Sequence, residues 1–294
     1  MKNLTITQKD EIRNALSVYC DNYPTRNRAC ETLKDVSAAT VSFLLNNKYE
    51  NISDEMFRRI AQQIGYNLEY WAITENGANR GMQFAMSDAQ LYKNVTWLVG
   101  DAGCGKTTTA LEYRRTHRNV FYVLCSEDMR KGDFVCEIAK QVGASTDSSN
   151  LRDILAEAIS MIAYLDNPVI IFDEGDKLTD TVFNYFISIY NRLEGHSGIV
   201  FMSTDFIKRR MENGLKYNKK GYKEIWSRIG RRFFFTQDIN ANDIYSICVA
   251  NGIESQSDIN KITKEAQSCG YDLRRVKRQI HACRRINEAK KGGK

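Results

Sequence analysis

The chain has 294 residues, 43% of them hydrophobic and 27% charged, with a net charge of +6. That length allows about two domains at roughly 100–200 residues each, and the composition excludes a disordered or fibrous protein. No apolar run reaches the roughly 18 residues of a membrane span, and the first ten residues lack the apolar centre of a secretory leader, so no membrane partner and a cytoplasmic location are expected.

Residues 1–75 carry helical patterning and little strand signal. Arg28-Ala29-Cys30-Glu31-Thr32-Leu33 leads through the turn-like Lys34-Asp35-Val36 into Ser37-Ala38-Ala39-Thr40-Val41-Ser42-Phe43-Leu44. This arrangement resembles the helix-turn-helix of Cro/repressor-type proteins. The resemblance implies a small core of Ala29, Val36, Val41, Leu44 and Ile60 and a second helix that enters a DNA major groove. Ser37, Thr40 and Ser42 are the candidate DNA contacts there, and such short side chains read bases weakly. Residues 76–92 open with Asn76-Gly77-Ala78-Asn79-Arg80-Gly81, a linker composition.

From 93 to 237 short apolar runs alternate with amphipathic helices. The runs at 95–99, 120–124, 169–172, 199–202 and 233–235 read as buried strands. Such apolar strands with helices between them predict an α/β domain, a parallel sheet covered on both faces. Between the first strand and a helix expected from 107 stands Gly100-Asp101-Ala102-Gly103-Cys104-Gly105-Lys106-Thr107, followed by Thr108. This is G-x-x-x-x-G-K-[ST] in its required context. Glycines let backbone N–H groups turn in around phosphates, and the helix N-terminus adds a favourable dipole. Lys106 is expected on the β- and γ-phosphates of ATP and Thr107 on Mg²⁺. The run Val169-Ile170-Ile171-Phe172 ends in Asp173-Glu174, which assigns Asp173 to the Mg²⁺-water shell and Glu174 to polarising the attacking water.

The order of these motifs resembles an AAA+ ATPase over about residues 90–290. That resemblance implies further residues. Ser203 and Thr204 stand where the family keeps a polar sensor, usually Asn. Arg228, with Arg231 and Arg232 as alternatives, falls where an arginine reaches ATP held by a neighbouring subunit. Residues 238–294 become a helical lid, with helices at 241–250, 257–268 and 272–289. Gly270-Tyr271-Asp272-Leu273-Arg274 places Arg274 toward the nucleotide.

Two stretches concentrate positive charge, one from 208 to 223 and one from Arg274 onward. Clustered cations are the footprint of a polyanion. Lys131, Lys208, Arg209, Arg210, Lys219 and Lys220 are the candidate contacts to duplex DNA. The eight cysteines form no C-x-x-C pair and the three histidines match no cysteine cluster, so reduced, buried thiols are expected rather than zinc.

A helix-turn-helix module joined to a compact AAA+ domain resembles the transposition-regulator ATPases of the MuB, TnsC and IstB type, the phage Mu target-selection architecture most of all. That resemblance implies a ring or helical filament of the chain with itself on duplex DNA, serving a transposase or integrase. A replicative helicase loader and a nucleotide-switched transcriptional regulator are the alternatives.

Overall fold

A computed structural model describes residues 4–23, 25–66, 71–148 and 150–292. Residues 1–3, 24 and 67–70 of the expected N-terminal module, and 293–294 of the basic tail, lie outside the described residues.

The N-terminal helices are α1 (Ile6–Asp21), α2 (Arg26–Glu31), α3 (Ala38–Leu45) and α4 (Asp54–Gln63). Each starts on a hydroxyl cap. Thr5 accepts from the Gln8 N–H while Gln8 accepts from the Thr5 N–H, and Thr25, Ser37 and Ser53 each accept an N–H three residues on. Their apolar faces enclose a core holding all five expected positions, with Leu16 and Phe57 added. The module lies against the next domain. Asn22 Oδ1 accepts the Asn119 N–H at 2.6 Å, Arg118 pairs with Asp21 at 3.3 Å, and Arg114 stands over the Tyr19 ring.

The expected linker at 76–92 is instead a helix, α5 (Gly77–Tyr92). Asn76 caps it by accepting the Asn79 N–H at 2.7 Å. Ala78, Met82, Ala85, Met86 and Ala89 bury its inner face. The composition misleads because its asparagine is a cap and its small residues serve close packing. A Cβ on Gly77 would stand 2.1 Å from Gln237 Oε1.

The remaining elements follow as β1 (Val95–Val99), α6 (Lys106–Thr116), β2 (Val120–Leu124), α7 (Lys131–Val142), α8 (Leu151–Ala163) and β3 (Val169–Asp173). After them come α9 (Asp180–Leu193), β4 (Gly198–Ser203), α10 (Phe206–Lys216), α11 (Tyr222–Arg228), β5 (Phe234–Phe235), and the lid helices α12 (Ala241–Ala250), α13 (Gln256–Ser268) and α14 (Leu273–Gly292). All strand pairs are parallel, in the order β2-β3-β4-β1-β5.

Alternation along the strands divides the interior in two. Trp97, Phe121, Phe172 and Phe201 face α7 to α11, while Leu98, Val169, Ile171, Val200 and Met202 face α5, α6 and the lid. Trp97 stacks on Phe201 at 4.5 Å between ring centres, and Phe201 on Phe172 at 5.1 Å. Because the strands run parallel, the ends of β1, β3 and β4 open on one rim. That is where an open α/β sheet binds its ligands.

Candidate nucleotide site

The loop after β1 turns on two glycines with backbone that side chains rarely tolerate, Gly103 at φ 81° and Gly105 at φ 98°. Helix α6 starts directly behind it, and no side chain caps its first turn. Its N–H groups are therefore left for an incoming anion. Lys106 Nζ donates to the Gly100 carbonyl at 2.6 Å and the Asp101 carbonyl at 2.8 Å, folding back along the loop. Thr107 Oγ1 donates to Asp173 Oδ2 at 2.6 Å, which brings the end of β3 to the start of α6. The two residues expected to hold Mg²⁺ thus meet, a hydroxyl and a carboxylate forming the hard oxygen set that this ion takes.

Asp173 is 1% exposed. A buried carboxylate needs partners, and this one has three: Thr107, the Glu174 N–H at 2.9 Å, and the Tyr122 hydroxyl at 2.8 Å. Tyr122, at the middle of β2, was not among the expected site residues. Burial first, then the Asp173 carboxylate, pushes its phenol far above the ordinary range, so it keeps its O–H and donates the hydrogen bond to Asp173. Glu174 sits in left-handed backbone at φ 55° and holds the Lys177 ammonium, whose own ionisation rises through that bond. Strain of this kind in a non-glycine residue marks a constrained position.

At the end of β4 the two sensor candidates differ. Ser203 is buried, accepts from Trp97 Nε1 at 2.8 Å and donates to the Thr204 carbonyl at 3.0 Å. Its hydroxyl is occupied inside the protein. Thr204 Oγ1 donates to Asp176 Oδ2 at 2.9 Å. Ser203, Thr204 and Asp176 border a cleft of about 1120 Å³ that also takes in Lys106, Thr107, Thr108, Asp173, Glu174, Lys177 and Arg274.

The lid closes the other side. The Leu273 N–H donates to the Gly103 carbonyl at 3.0 Å, and Asp272 accepts the Arg274 N–H at 2.8 Å. Arg274 is exposed at the cleft. Fully buried Asn251 in the lid clasps Ala72, accepting its N–H and donating to its carbonyl, both at 3.0 Å. This holds Trp71 to Asn76 along the cleft wall, where Thr74 Oγ1 and Asn79 Oδ1 are buried without a hydrogen-bond partner. Sequence patterning carried no signal for this wall, because an asparagine before glycine reads as a turn.

Arg228 stands outside the cleft of its own chain. It donates to Asn191 Oδ1 at 2.7 Å and covers the Tyr190 ring at 4.9 Å. Arg231 and Arg232 are exposed beside it.

Among the candidate DNA contacts, Lys208, Arg209 and Lys220 are exposed. Lys131 is exposed too, with its ammonium 4.1 Å from the centre of the Tyr185 ring. Lys219 pairs with Asp180 at 3.2 Å. Since Tyr185 and Asp180 both belong to α9, these cations share the sheet face that carries α7 to α11. Arg210 departs from expectation. Its guanidinium binds Asp180 at 2.8 Å, the Asp176 carbonyl at 2.9 Å and the Tyr222 hydroxyl at 3.0 Å, over the Phe183 ring. Three of its five N–H donors are taken inside the domain, which sets it apart from the exposed Lys208 and Arg209. In the N-terminal module Ser37 and Thr40 share a hydroxyl–hydroxyl contact of 2.9 Å at the start of α3, and Ser42 lies one turn on, accepting from Asn46.

All eight cysteines are free, and burial pushes the Cys20 thiol up to about 11. Among the described residues no group of three or more histidine, cysteine or acidic side chains is placed to hold a metal ion. Nor is any helix among them long and apolar enough to cross a membrane.

Residues 89–211 match the AAA domain family. The chain is similar to the Mu-like prophage FluMu DNA transposition protein B of Haemophilus influenzae. The two are 25% identical over 257 residues, 85% of this chain and 88% of that one. It is also similar to the ATP-dependent target DNA activator B of Escherichia phage Mu, 23% identical over 271 residues, 88% of this chain and 84% of that one. The same protein of Escherichia phage D108 matches to the same extent. Among solved structures, the Aeropyrum pernix ORC1 protein in complex with DNA shares the fold, with a TM-score of 0.50 and 16% identity. That likeness spans 68% of this chain and 56% of that one. The chain therefore has the AAA P-loop fold, and with its phosphate loop and Asp173-Glu174 pair in place it is an ATPase.

Proposed function

We propose that this chain is a transposition regulator: an ATP- and Mg²⁺-dependent ATPase that assembles on duplex DNA with little sequence preference and delivers that DNA to a transposase. The observation that carries the reading is the Thr107–Asp173 contact within an otherwise intact phosphate loop. It occurs in a chain that aligns almost end to end with relatives named for DNA transposition and for activating target DNA.

The chemistry follows from the groups described. ATP phosphates settle on the uncapped N-terminus of α6, and Lys106 exchanges the Gly100 and Asp101 carbonyls for phosphate oxygens. Thr107 and Asp173 would hold Mg²⁺, which would supply positive charge to offset the charge that develops on the phosphates. Glu174 leaves Lys177 to orient the attacking water. Arg228 of a neighbouring copy completes the charge balance from outside, which is why it lies away from its own cleft. Arg274 joins the lid to the nucleotide, so that lid position reports ATP against ADP.

DNA meets the face holding Lys131, Lys208, Arg209, Lys219 and Lys220, through phosphates rather than bases. The helix-turn-helix supplies a second, weaker contact through Ser37, Thr40 and Ser42. The assembly is a ring or helical filament working in the cytoplasm.

Fluorescence anisotropy of a random-sequence duplex, titrated with the full chain in ATP, ADP or no nucleotide, tests this. Tight binding with ATP alone that falls steeply with salt is expected. Nucleotide-independent binding restricted to one operator sequence contradicts it.

A further inference from the structure

Tyr122 has no part in the phosphate loop, the acidic pair or the lid, yet its hydroxyl reaches the Asp173 carboxylate at 2.8 Å. It belongs to β2, where it is paired in register with Ile171, two residues before Asp173 on β3. Two strand residues span roughly 6.6 Å. Tyrosine is long enough to bridge that rise and still end in a donor; serine and threonine are too short, and phenylalanine has no donor.

The pattern of bonds on Asp173 gives this reach its meaning. Oδ1 takes the Glu174 N–H, whereas Oδ2 takes both the Thr107 hydroxyl and the Tyr122 hydroxyl. Two donors fill the ordinary lone-pair capacity of one carboxylate oxygen. With Tyr122 in place the carboxylate cannot rotate about its terminal bond without breaking a buried hydrogen bond. Thr107 then keeps its O–H directed at Asp173, which leaves the lone pairs of its oxygen unused by that bond.

We propose that Tyr122 is a positioning residue for Mg²⁺ binding: its hydroxyl, bonded to Oδ2, fixes the Asp173 carboxylate so that Oδ1, which keeps a lone pair free, and the Thr107 oxygen stay in one fixed relation. The proposal rests on the reading of Thr107 and Asp173 as the Mg²⁺ ligands. Outer partners that orient metal ligands typically alter metal affinity about 10–100-fold when removed.

The test is Tyr122→Phe in the full chain, which keeps the ring and removes only the hydroxyl. Binding of a fluorescent ATP analogue is followed while Mg²⁺ is titrated, and again in excess chelator. The expected result is a half-saturating Mg²⁺ concentration raised about tenfold, with metal-free nucleotide affinity unchanged. An unaltered Mg²⁺ midpoint overturns the proposal, as does an equal loss of affinity with and without metal, which would mark a packing role. Asp173→Asn in the same assay separates the two levels. If it shifts the midpoint while Tyr122→Phe does not, only the role of Tyr122 falls. If it too leaves the midpoint in place, the assignment of Asp173 falls and the role of Tyr122 with it.

Discussion

Arg210 and its neighbours Lys208 and Arg209 read alike in the sequence and differ in the structure, which makes their separation a direct test. The Arg210 side chain is 13% exposed and joins Asp180, Tyr222 and the Asp176 carbonyl while its face covers Phe183. Removing one partner of a buried ion pair costs about 3–5 kcal/mol. Here the Asp180 side chain is 45% exposed and keeps Tyr222 and Lys219 as donors. Solvent screening therefore reduces the figure for Arg210→Ala to about 2–3 kcal/mol. Lys208→Ala and Arg209→Ala, on exposed positions of α10, cost within about 0.5 kcal/mol. On the proposed reading their effect is expected on DNA, lowering the slope of log affinity against log salt by about 0.9 for each phosphate that is no longer neutralised. Urea denaturation and duplex-binding titrations at several salt concentrations, run on all three variants, measure both quantities. Full stability in Arg210→Ala, with a salt slope reduced as in Lys208→Ala, refutes the assignment of Arg210 to packing.

Three further outcomes follow from the same geometry. Glu174→Gln retains ATP binding while single-turnover hydrolysis falls about 10²–10⁴-fold, the usual contribution of a positioned base; normal hydrolysis removes Glu174 from that role. Gly103→Ala forces a side chain into left-handed backbone, at about 1–2 kcal/mol, and sets its Cβ 2.1 Å from Asp272 Oδ1. Nucleotide titration then shows weakened ATP binding, and unchanged affinity argues that the lid does not rest on the loop. Burial alone would raise the Asp180 carboxyl, but hydrogen bonds from Tyr222, Arg210 and Lys219 outweigh it and hold the group down at about 2, against an ordinary 3.8. A carboxyl depressed on folding stabilises fully above its unfolded value and loses that contribution as pH falls toward its folded value. The stability gap between the parent chain and Asp180→Asn is therefore constant above about pH 5 and closes between 3.8 and 2; a gap that persists to pH 2 contradicts this.

The sequence made the chemistry of the site easier to read than its framing. The phosphate loop and the Asp173-Glu174 pair were legible because both depend on a local order: strand, turn, helix, and apolar strand ending in acids. The Leu273–Gly103 contact, the Asn251 clasp on Ala72 and the Tyr122 hydroxyl on Asp173 join residues distant in the chain. Each is a long-range pairing that no local pattern encodes. The error at 76–92 came from composition, since a capping asparagine and closely packed glycines share their letters with a flexible joint. Arg210 differs from its basic neighbours for a related reason. Charge shows in a sequence, whereas the Asp180 and Tyr222 partners that neutralise it stand 30 and 12 residues away.

The central claim is that ATP governs assembly of this chain on DNA. Electron microscopy of the full chain with random-sequence duplex, in ATP, ADP or no nucleotide, measures it most directly. Rings or helical filaments coating the DNA with ATP, and bare DNA in ADP or without nucleotide, are the expected result. A discrete dimer at one sequence, indifferent to nucleotide, contradicts it.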